Sequence, residues 1–179
     1  MDRSNLWVFG YGSLIWDPGF DFVERRLARL EGYHRCFCMR SVHYRGTAQA
    51  PGLVLALDRA ERAVCRGVAY GVPAETREDV LAYLRERELI SYAYVETLQP
   101  VLLEGGTRVE AVTYVIDPAH EQYCGGLSLE EQARIIARAE GRRGPNRDYL
   151  LNTAAQLAEL DIEDDEIAWL ARRVRSLNP

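Results

Sequence analysis

The chain has 179 residues, of which 47% are hydrophobic and 27% charged, a composition typical of a folded globular protein rather than a disordered or membrane-spanning one. Its net charge is −5, and its 22 basic residues, all of them arginine, are scattered along the chain, which argues against nucleic acid as a partner. No stretch is apolar and long enough to cross a bilayer, and we expect one cytoplasmic domain over residues 1–179, working as a monomer or weak dimer with no membrane partner.

The first two thirds of the chain are predicted to form mainly strands, starting with an apolar run at Leu6 that continues to Trp16. Each predicted strand is rich in Val, Leu, Tyr or Cys and is bounded by Gly, Pro or charged turns: Leu6–Gly10, Leu30–Met39, Leu53–Asp58, Ala63–Val72, Ala93–Leu103 and Arg108–Ile116. One helix interrupts them, predicted from Arg77 to Glu88 with Thr76 as its N-cap. Six strands with one inserted helix indicate a closed or nearly closed sheet.

The last third of the chain is predicted to be helical. Ser128 and Glu131 have the spacing of a capping box, which opens a helix predicted to end near Glu140. Pro145 opens a second helix, and acidic residues followed by arginines indicate a third near the C-terminus. The predicted fold is therefore α+β, with a barrel-like, mostly antiparallel sheet and flanking helices.

The cysteines and histidines give no sign of a metal or cofactor site. Cys36 and Cys38 lie two residues apart on one face of a predicted strand, where a mutual disulfide is geometrically unfavourable, and we expect all four cysteines to be reduced thiols. The three histidines lack the spacing of a zinc or iron site, so we predict no metal and no cofactor.

The densest functional signal is the segment FGYGSLIW, Phe9 to Trp16, where an apolar strand stops at Gly-Tyr-Gly-Ser. Glycines at positions 10 and 12 allow a turn whose consecutive N–H groups can hold an anion such as a carboxylate. A tight strand-ending turn around a buried tyrosine is the alternative interpretation. A dinucleotide site is excluded because Ile15 replaces the third glycine of that fingerprint.

The second signal is Glu88, which falls within the apolar stripe of the predicted helix, four residues after Leu84, whereas Glu86 points away. Burial of a carboxyl group penalises its ionised form and prepares it for proton transfer near neutral pH. A structural ion pair with Arg87 remains the alternative interpretation.

Weaker candidates lie in two polar segments. Arg45, in a polar interruption between strands, could bind a substrate carboxylate through two hydrogen bonds, although a surface turn is the simpler interpretation. Tyr123 lies in a glycine-rich loop before a helix. Ser13 follows a glycine but lacks the second glycine of a nucleophile elbow, so covalent catalysis is disfavoured.

Several segments, in the same order over nearly the whole chain, resemble the ChaC family of γ-glutamylcyclotransferases. They are WVFGYGSLIW from Trp7, HYRGT from His43, PGLVLAL from Pro51, CRGVAY from Cys65, YLRERE from Tyr83 and GPNRDYL from Gly144.

This resemblance implies cleavage of glutathione to 5-oxoproline and cysteinylglycine, without metal or cofactor, by attack of the α-amine on the γ-carbonyl. It implies Glu88 as the single acid/base, with the backbone amides of Tyr11, Gly12, Ser13 and Leu14 holding the α-carboxylate, and Arg45 and Tyr123 lining the pocket. Leu89-Ile-Ser-Tyr92 departs from the Gly-Gly-Tyr stretch that follows the glutamate in animal members. A cyclotransferase for another γ-glutamyl amine or dipeptide, or a non-catalytic γ-glutamyl-binding module, is therefore kept as the alternative.

Overall fold

A computed structural model describes residues 5–91 and 93–178 of the chain. It contains seven strands: β1 (Leu6–Gly10), β2 (Glu24–Ser41), β3 (Gly52–Val72), β4 (Tyr94–Leu103), β5 (Arg108–Ile116), β6 (Glu140–Gly141) and β7 (Gly144–Pro145). Four α-helices accompany them: α1 (Arg77–Glu88), α2 (Leu129–Arg138), α3 (Asn146–Glu159) and α4 (Asp165–Leu177). Short 3-10 turns lie at Ser13–Ile15 and Ala74–Thr76.

The five long strands close into a barrel in the order β1-β3-β2-β4-β5. The pairs β1–β3, β2–β4 and β4–β5 are antiparallel, whereas the short pairings of β5 with β1 and with β3 are parallel. The predicted α+β class, with a barrel-like and mostly antiparallel sheet, is confirmed. Among the residues that the structure describes, no helix has the length and apolar character needed to span a membrane.

The chain divides into two compact units, one containing the residues up to Arg35 together with Ala56–Asp117, the other containing Cys36–Leu55 and the residues from Pro118 on. The boundary falls inside β2 and inside β3. The expectation of a single domain over residues 1–179 stays a prediction.

The core of the first unit joins helix α1 to the barrel. Val80, Leu81 and Leu84, the apolar stripe of α1, are buried with residues of β1, β3 and β5 and with Leu14 of the first 3-10 turn. This arrangement follows from the helical spacing, because residues three and four apart share one face. It brings the C-terminal end of α1 and the turn after β1 into the same core cluster.

In the second unit, helices α2, α3 and α4 pack against one another. Ser128 caps α2 as predicted: its hydroxyl accepts from the Glu131 amide, and the Glu131 carboxylate accepts from the Ser128 amide. Helix α2 ends at Arg138, before the predicted Glu140, because residues 140–141 pair with 144–145 as the small β6–β7 hairpin.

One predicted strand boundary is wrong. The strands predicted at Leu53–Asp58 and Ala63–Val72 are one continuous strand, β3, within which Arg62 adopts a left-handed backbone conformation with φ of 66°. The sequence signals for a turn at this point mark a local irregularity and not the end of a strand. At α1, Thr76 occupies the N-cap position, but its side chain makes no capping hydrogen bond.

The expectation for the cysteines is also wrong in part. Cys36 and Cys38 form a disulfide, with their Cα atoms 5.3 Å apart, while Cys65 and Cys124 are thiols, as predicted. Two residues of a regular strand span about 6.6 Å. That spacing lies at the upper limit of Cα separations found in disulfides, and the shorter separation at this point of β2 is close to the commonest one.

Candidate active site

The segment after β1 forms a 3-10 turn at Ser13–Ile15, directly after Gly12. Tyr11, Gly12 and Leu14 are buried, and Ser13 is half-buried, so Ser13 is the most accessible of these four residues. The first N–H groups of a helical turn have no acceptor within the turn. This geometry is compatible with the predicted anion-binding role of the segment. Tyr11 is also a buried tyrosine, as the alternative interpretation required.

Two side chains from distant strands bind the carbonyl oxygens of this turn. Arg35, a buried residue of β2, donates from Nε to the Tyr11 carbonyl oxygen at 2.7 Å. The Tyr70 hydroxyl of β3 donates to the carbonyl oxygens of Leu14 at 2.7 Å and Ile15 at 3.1 Å. Burial raises the pKa of Tyr70, so its hydroxyl keeps the proton that it donates. The turn is therefore held in place from within the first unit.

Glu88 is the last residue of α1, and its side chain is 15% exposed, whereas Glu86 is exposed, as the helical spacing predicts. Arg87 lies beside it with Nε 3.3 Å from a Glu88 carboxylate oxygen. The Nη2 atom of Arg87 donates to the Ser13 hydroxyl oxygen at 3.0 Å. One guanidinium group therefore links the predicted acid/base to the predicted carboxylate-binding turn.

Two further titratable groups, Tyr114 and Glu96, form a pair, and the charge of Glu88 acts on Tyr114. Tyr114 of β5 donates its hydroxyl to the Glu96 carboxylate at 3.0 Å, and Arg85 pairs with the same carboxylate through two hydrogen bonds of 2.8 and 2.9 Å. The hydrogen bonds from Arg85 hold the pKa of Glu96 below its usual value. Burial, then the charge of Glu96 and to a lesser extent that of Glu88, raise the pKa of Tyr114 far above its usual value. Tyr114 therefore stays protonated, and Glu96 stays ionised.

The other two predicted site residues, Arg45 and Tyr123, belong to the second unit. Arg45 donates from Nη1 to the carbonyl oxygens of Arg143 at 2.7 Å and Pro145 at 3.2 Å, and its guanidinium lies over the Tyr149 ring. Burial lowers the pKa of Arg45. Its contacts within the unit are structural, and its role in substrate binding stays a prediction.

Tyr123 is half-buried and forms an isolated bridge with Met39 of β2. Its ring lies against Gly125, where a Cβ atom would come within 2.1 Å of the Tyr123 hydroxyl oxygen. Only glycine fits under this ring, which explains one glycine of the loop. The predicted pocket role of Tyr123 likewise stays a prediction.

The polar residues at the start of α3 pack against β3. Asn146 is fully buried, and its side-chain amide exchanges two hydrogen bonds of 2.7 Å with the backbone of Leu53. The Leu55 amide donates to the Tyr149 hydroxyl at 3.3 Å. These contacts fix α3 to β3 inside the second unit.

Sequence reasoning missed the structural roles of Arg35 and Tyr70 and part of the role of Arg87. Arg35 and Tyr70 stand in strand patterns without a local signal, and their partners lie 24 to 56 residues away in the chain. Arg87 was identified only as a possible ion-pair partner of Glu88, and this contact is present.

The closed barrel with its flanking helices is the fold of known γ-glutamylcyclotransferases. The crystal structure of the γ-glutamylcyclotransferase specific to glutathione from yeast matches with a TM-score of 0.88 and 25% sequence identity, covering 98% of this chain and all of that one (100%). The family model described as ChaC-like protein matches residues 6–177, and the chain belongs to this family.

Curated relatives extend the comparison. The glutathione-specific γ-glutamylcyclotransferase of Escherichia coli strain K12 is 39% identical over 176 residues, covering 98% of this chain and 75% of that protein. The human glutathione-specific γ-glutamylcyclotransferase 1 is 32% identical over 183 residues, covering 99% of this chain and 82% of that protein.

Proposed function

We propose that this protein is a glutathione-specific γ-glutamylcyclotransferase, a lyase that converts glutathione to 5-oxoproline and L-cysteinylglycine. The observation that carries the proposal is the link from Glu88 through Arg87 to Ser13, because it joins a carboxylate able to move protons to a turn able to hold a carboxylate. The names of the curated relatives support glutathione as the substrate.

Glu88 is the proposed acid/base because its carboxyl group is only 15% exposed and is joined through Arg87 to the predicted carboxylate-binding turn. Two other titratable groups of the same unit, Glu96 and Tyr114, are less suited to proton transfer. The Glu96 carboxylate is bound by Arg85 and Tyr114, and the Tyr114 proton is given to Glu96. Neither group is poised to gain and lose a proton near neutral pH.

In the proposed reaction, the backbone amides of Tyr11, Gly12, Ser13 and Leu14 hold the α-carboxylate of the γ-glutamyl group. The Glu88 carboxylate takes a proton from the α-ammonium group, and the freed amine nitrogen attacks the γ-carbonyl carbon of the same molecule. The bond from that carbon to the cysteinyl nitrogen then breaks as Glu88 returns the proton to the departing nitrogen. The attacking nitrogen keeps one hydrogen as the lactam N–H and gives up its other proton, which ends on the released amine as its ammonium form. Only protons and carbon–nitrogen bonds change, so the chemistry calls for no redox cofactor.

The nucleophile and the electrophile belong to one molecule, so the enzyme mainly has to hold the folded-back conformer of the γ-glutamyl group. Orientation of this kind contributes roughly 7–11 kcal/mol in favourable cases. A turn whose carbonyl oxygens are fixed by Arg35 and Tyr70 is suited to that task, because a positioning group must not itself reorganise.

The test compares two glutamates of one helix. Purified protein is incubated with millimolar glutathione, and 5-oxoproline and cysteinylglycine are quantified by mass spectrometry. We expect Glu88→Gln to lower kcat by about 10² to 10⁴-fold, on general acid–base magnitudes, and the exposed Glu86→Gln to leave it unchanged. Equal activity of the two folded variants would refute the assignment of Glu88.

A panel of other γ-glutamyl amines and dipeptides belongs in the same assay. The segment Leu89–Tyr92 motivates it: Leu89 packs against the core, Ile90 is 51% exposed, and Tyr92 lies outside the described residues. We expect glutathione to be the preferred compound. Preference for another member of the panel would support the alternative substrate. If the folded protein turned over no compound of the panel, the result would support a γ-glutamyl-binding module.

We also propose that Arg45 and Tyr123 contact the substrate, and that the enzyme works in the cytoplasm as a monomer or weak dimer without nucleic acid. The substrate supports this location, since glutathione sets the redox potential of thiols in the cytosol.

Light scattering at several protein concentrations tests the assembly state. The proposed contacts of Arg45 and Tyr123 are tested by Arg45→Lys and Tyr123→Phe, which should each raise KM for glutathione.

A further inference from the structure

One arginine side chain joins three parts of the first unit: its own helix α1, the turn at Ser13 and the segment at residues 17–18. The Arg87 guanidinium contacts the Glu88 carboxylate from Nε and the Ser13 hydroxyl oxygen from Nη2. Its Nη1 atom donates to the carbonyl oxygens of Asp17 and Pro18 and to the Tyr83 hydroxyl. All three guanidinium nitrogens are therefore in use, and each faces a different partner.

The direction of the hydrogen bond at Ser13 has a consequence for the hydroxyl group. Arg87 can only donate, so the Ser13 oxygen accepts, and the hydroxyl proton of Ser13 remains available for another acceptor. Ser13 is half-buried at the predicted carboxylate-binding turn, so that acceptor can be a substrate oxygen. The orientation set by Arg87 makes Ser13 a hydrogen-bond donor.

We propose that Arg87 is a positioning residue, which turns the Ser13 hydroxyl into a donor to the α-carboxylate of the γ-glutamyl group and holds the Glu88 carboxylate beside that group. This inference rests on the proposed cyclotransferase function. It assigns to Arg87 a role in both substrate binding and proton transfer, exerted through its two neighbours and without contact to the reacting atoms.

Charge gives the arrangement a second effect. The substrate α-carboxylate and Glu88 carry like charges, and bringing them together is unfavourable in a partly desolvated site. The Arg87 side chain is 12% exposed and that of Glu88 is 15% exposed, so solvent screens this cation much less than it screens Arg85, whose side chain is 50% exposed. The Arg87 cation lies where it offsets the repulsion between the two carboxylates.

A lysine cannot reproduce this geometry. Its ammonium group is a single point charge, whereas the guanidinium donates in one plane toward partners on different sides. The segment that Arg87 binds is also tightly packed: Gly19 has φ of 73°, and a Cβ atom there would lie 1.9 Å from the Tyr83 hydroxyl oxygen. The site leaves little room for a different side chain to rearrange.

The experiment is a double-mutant cycle of Arg87→Lys and Ser13→Ala, read as kcat and KM for glutathione. The dissociation constant of glutathione is measured in parallel in the Glu88→Gln background, where turnover does not interfere. We expect Arg87→Lys to lower kcat/KM by about 10 to 100-fold and Ser13→Ala to raise KM by about 10-fold, on the magnitudes of hydrogen bonds to charged groups. The KM effect of Arg87→Lys should largely disappear in the Ser13→Ala background, while its kcat effect should persist.

Arg77→Lys is the matched control, because Arg77 begins the same helix, is 43% exposed on its side chain and pairs only loosely with Glu78. It should leave kcat, KM and the melting temperature unchanged. Arg87→Gln, which also removes the charge, should lower kcat further than Arg87→Lys does. Melting curves of every variant separate loss of folding from loss of function.

Additive effects of the two substitutions on KM, in folded variants, would overturn the coupling between Arg87 and Ser13. Unchanged kcat in Arg87→Gln would overturn the link to Glu88. Both results leave the proposed function standing if the wild-type protein cleaves glutathione and Glu88→Gln does not. A wild-type protein that neither cleaves nor binds glutathione would overturn the proposed function and this inference together.

Discussion

Tyr70→Phe removes one hydroxyl group and leaves the ring packing in place. The Tyr70 ring lies against Phe20 and Phe22, with centroid distances of 5.6 and 4.8 Å, and these contacts do not involve the hydroxyl. The lost group is the donor to the carbonyl oxygens of Leu14 and Ile15. The substitution therefore tests how much the conformation of the turn depends on the hydrogen bonds from the Tyr70 hydroxyl.

The size of the effect follows from burial. Tyr70 is 1% exposed, so water cannot easily replace the missing donor. Arg25 still reaches the Ile15 carbonyl oxygen at 3.5 Å, but the Leu14 carbonyl oxygen loses its hydrogen bond from the Tyr70 hydroxyl. A lost hydrogen bond that leaves a buried acceptor unpaired costs about 1–3 kcal/mol of unfolding free energy. In a chain of this length, that lowers the melting temperature by about 2 to 12 °C.

Scanning calorimetry measures the change in melting temperature. Initial rates of 5-oxoproline release measure the changes in kcat and KM. We expect KM for glutathione to rise more than kcat falls, because in the proposed reaction the turn holds the substrate carboxylate and exchanges no protons with it. Tyr33→Phe is the control, since the Tyr33 hydroxyl makes no hydrogen bond to any residue that the structure describes. A Tyr70→Phe protein with unchanged melting temperature and KM would show that the turn holds its shape without this contact.

Three further predictions concern other contacts. Asn146→Ala should lower the free energy of unfolding by about 2–5 kcal/mol, because it leaves two buried backbone groups of Leu53 unpaired, while the exposed Asn152→Ala on the same helix should have little effect in urea titrations. Tyr114→Phe should lower kcat by less than about 10-fold, because Tyr114 does not give up its proton. A loss of kcat as large as that of Glu88→Gln would contradict this assignment. The hydrogen bonds from Arg173 and Arg134 lower the pKa of Glu130 to about 2. The stabilising contribution of Glu130 is therefore present above pH 4.5 and is lost as the pH falls from there toward 2. Acid unfolding should be less steep in Arg173→Gln, and identical slopes for the two proteins would argue against the pairing.

Local sequence signals predict the elements whose ends are marked by residue type. The bounds of β1, β5 and α1 agree with the structure, because glycine turns and the apolar stripe of α1 mark them clearly. Strand β3 was divided in two because the charged residues from Asp58 to Arg62 resemble a turn. Nothing in the sequence indicates that an arginine would adopt a left-handed conformation inside a strand.

Long-range contacts limit what the sequence can predict about the site. Periodicity places Glu88 on the inner face of α1, and that placement needs no tertiary information. The hydrogen bonds that hold the turn come from Arg35, Tyr70 and Arg87, whose partners in the turn lie 24, 56 and 74 residues away along the chain. Such pairs can be identified only from the folded structure, because in the sequence each of these residues fits the pattern of its own strand or helix.

The turn after β1 is suited to an anion because its carbonyl oxygens are bound within the protein. Side chains bind those of residues 11, 14 and 15, and backbone amides within the turn bind those of residues 12 and 13. An anion that approaches the amides from the open side therefore meets donors whose orientation is already fixed. Since the Ser13 oxygen also accepts from Arg87, its hydroxyl adds a donor to that side. The cost of orienting these groups is met when the chain folds, so substrate binding and the chemical step require little further rearrangement.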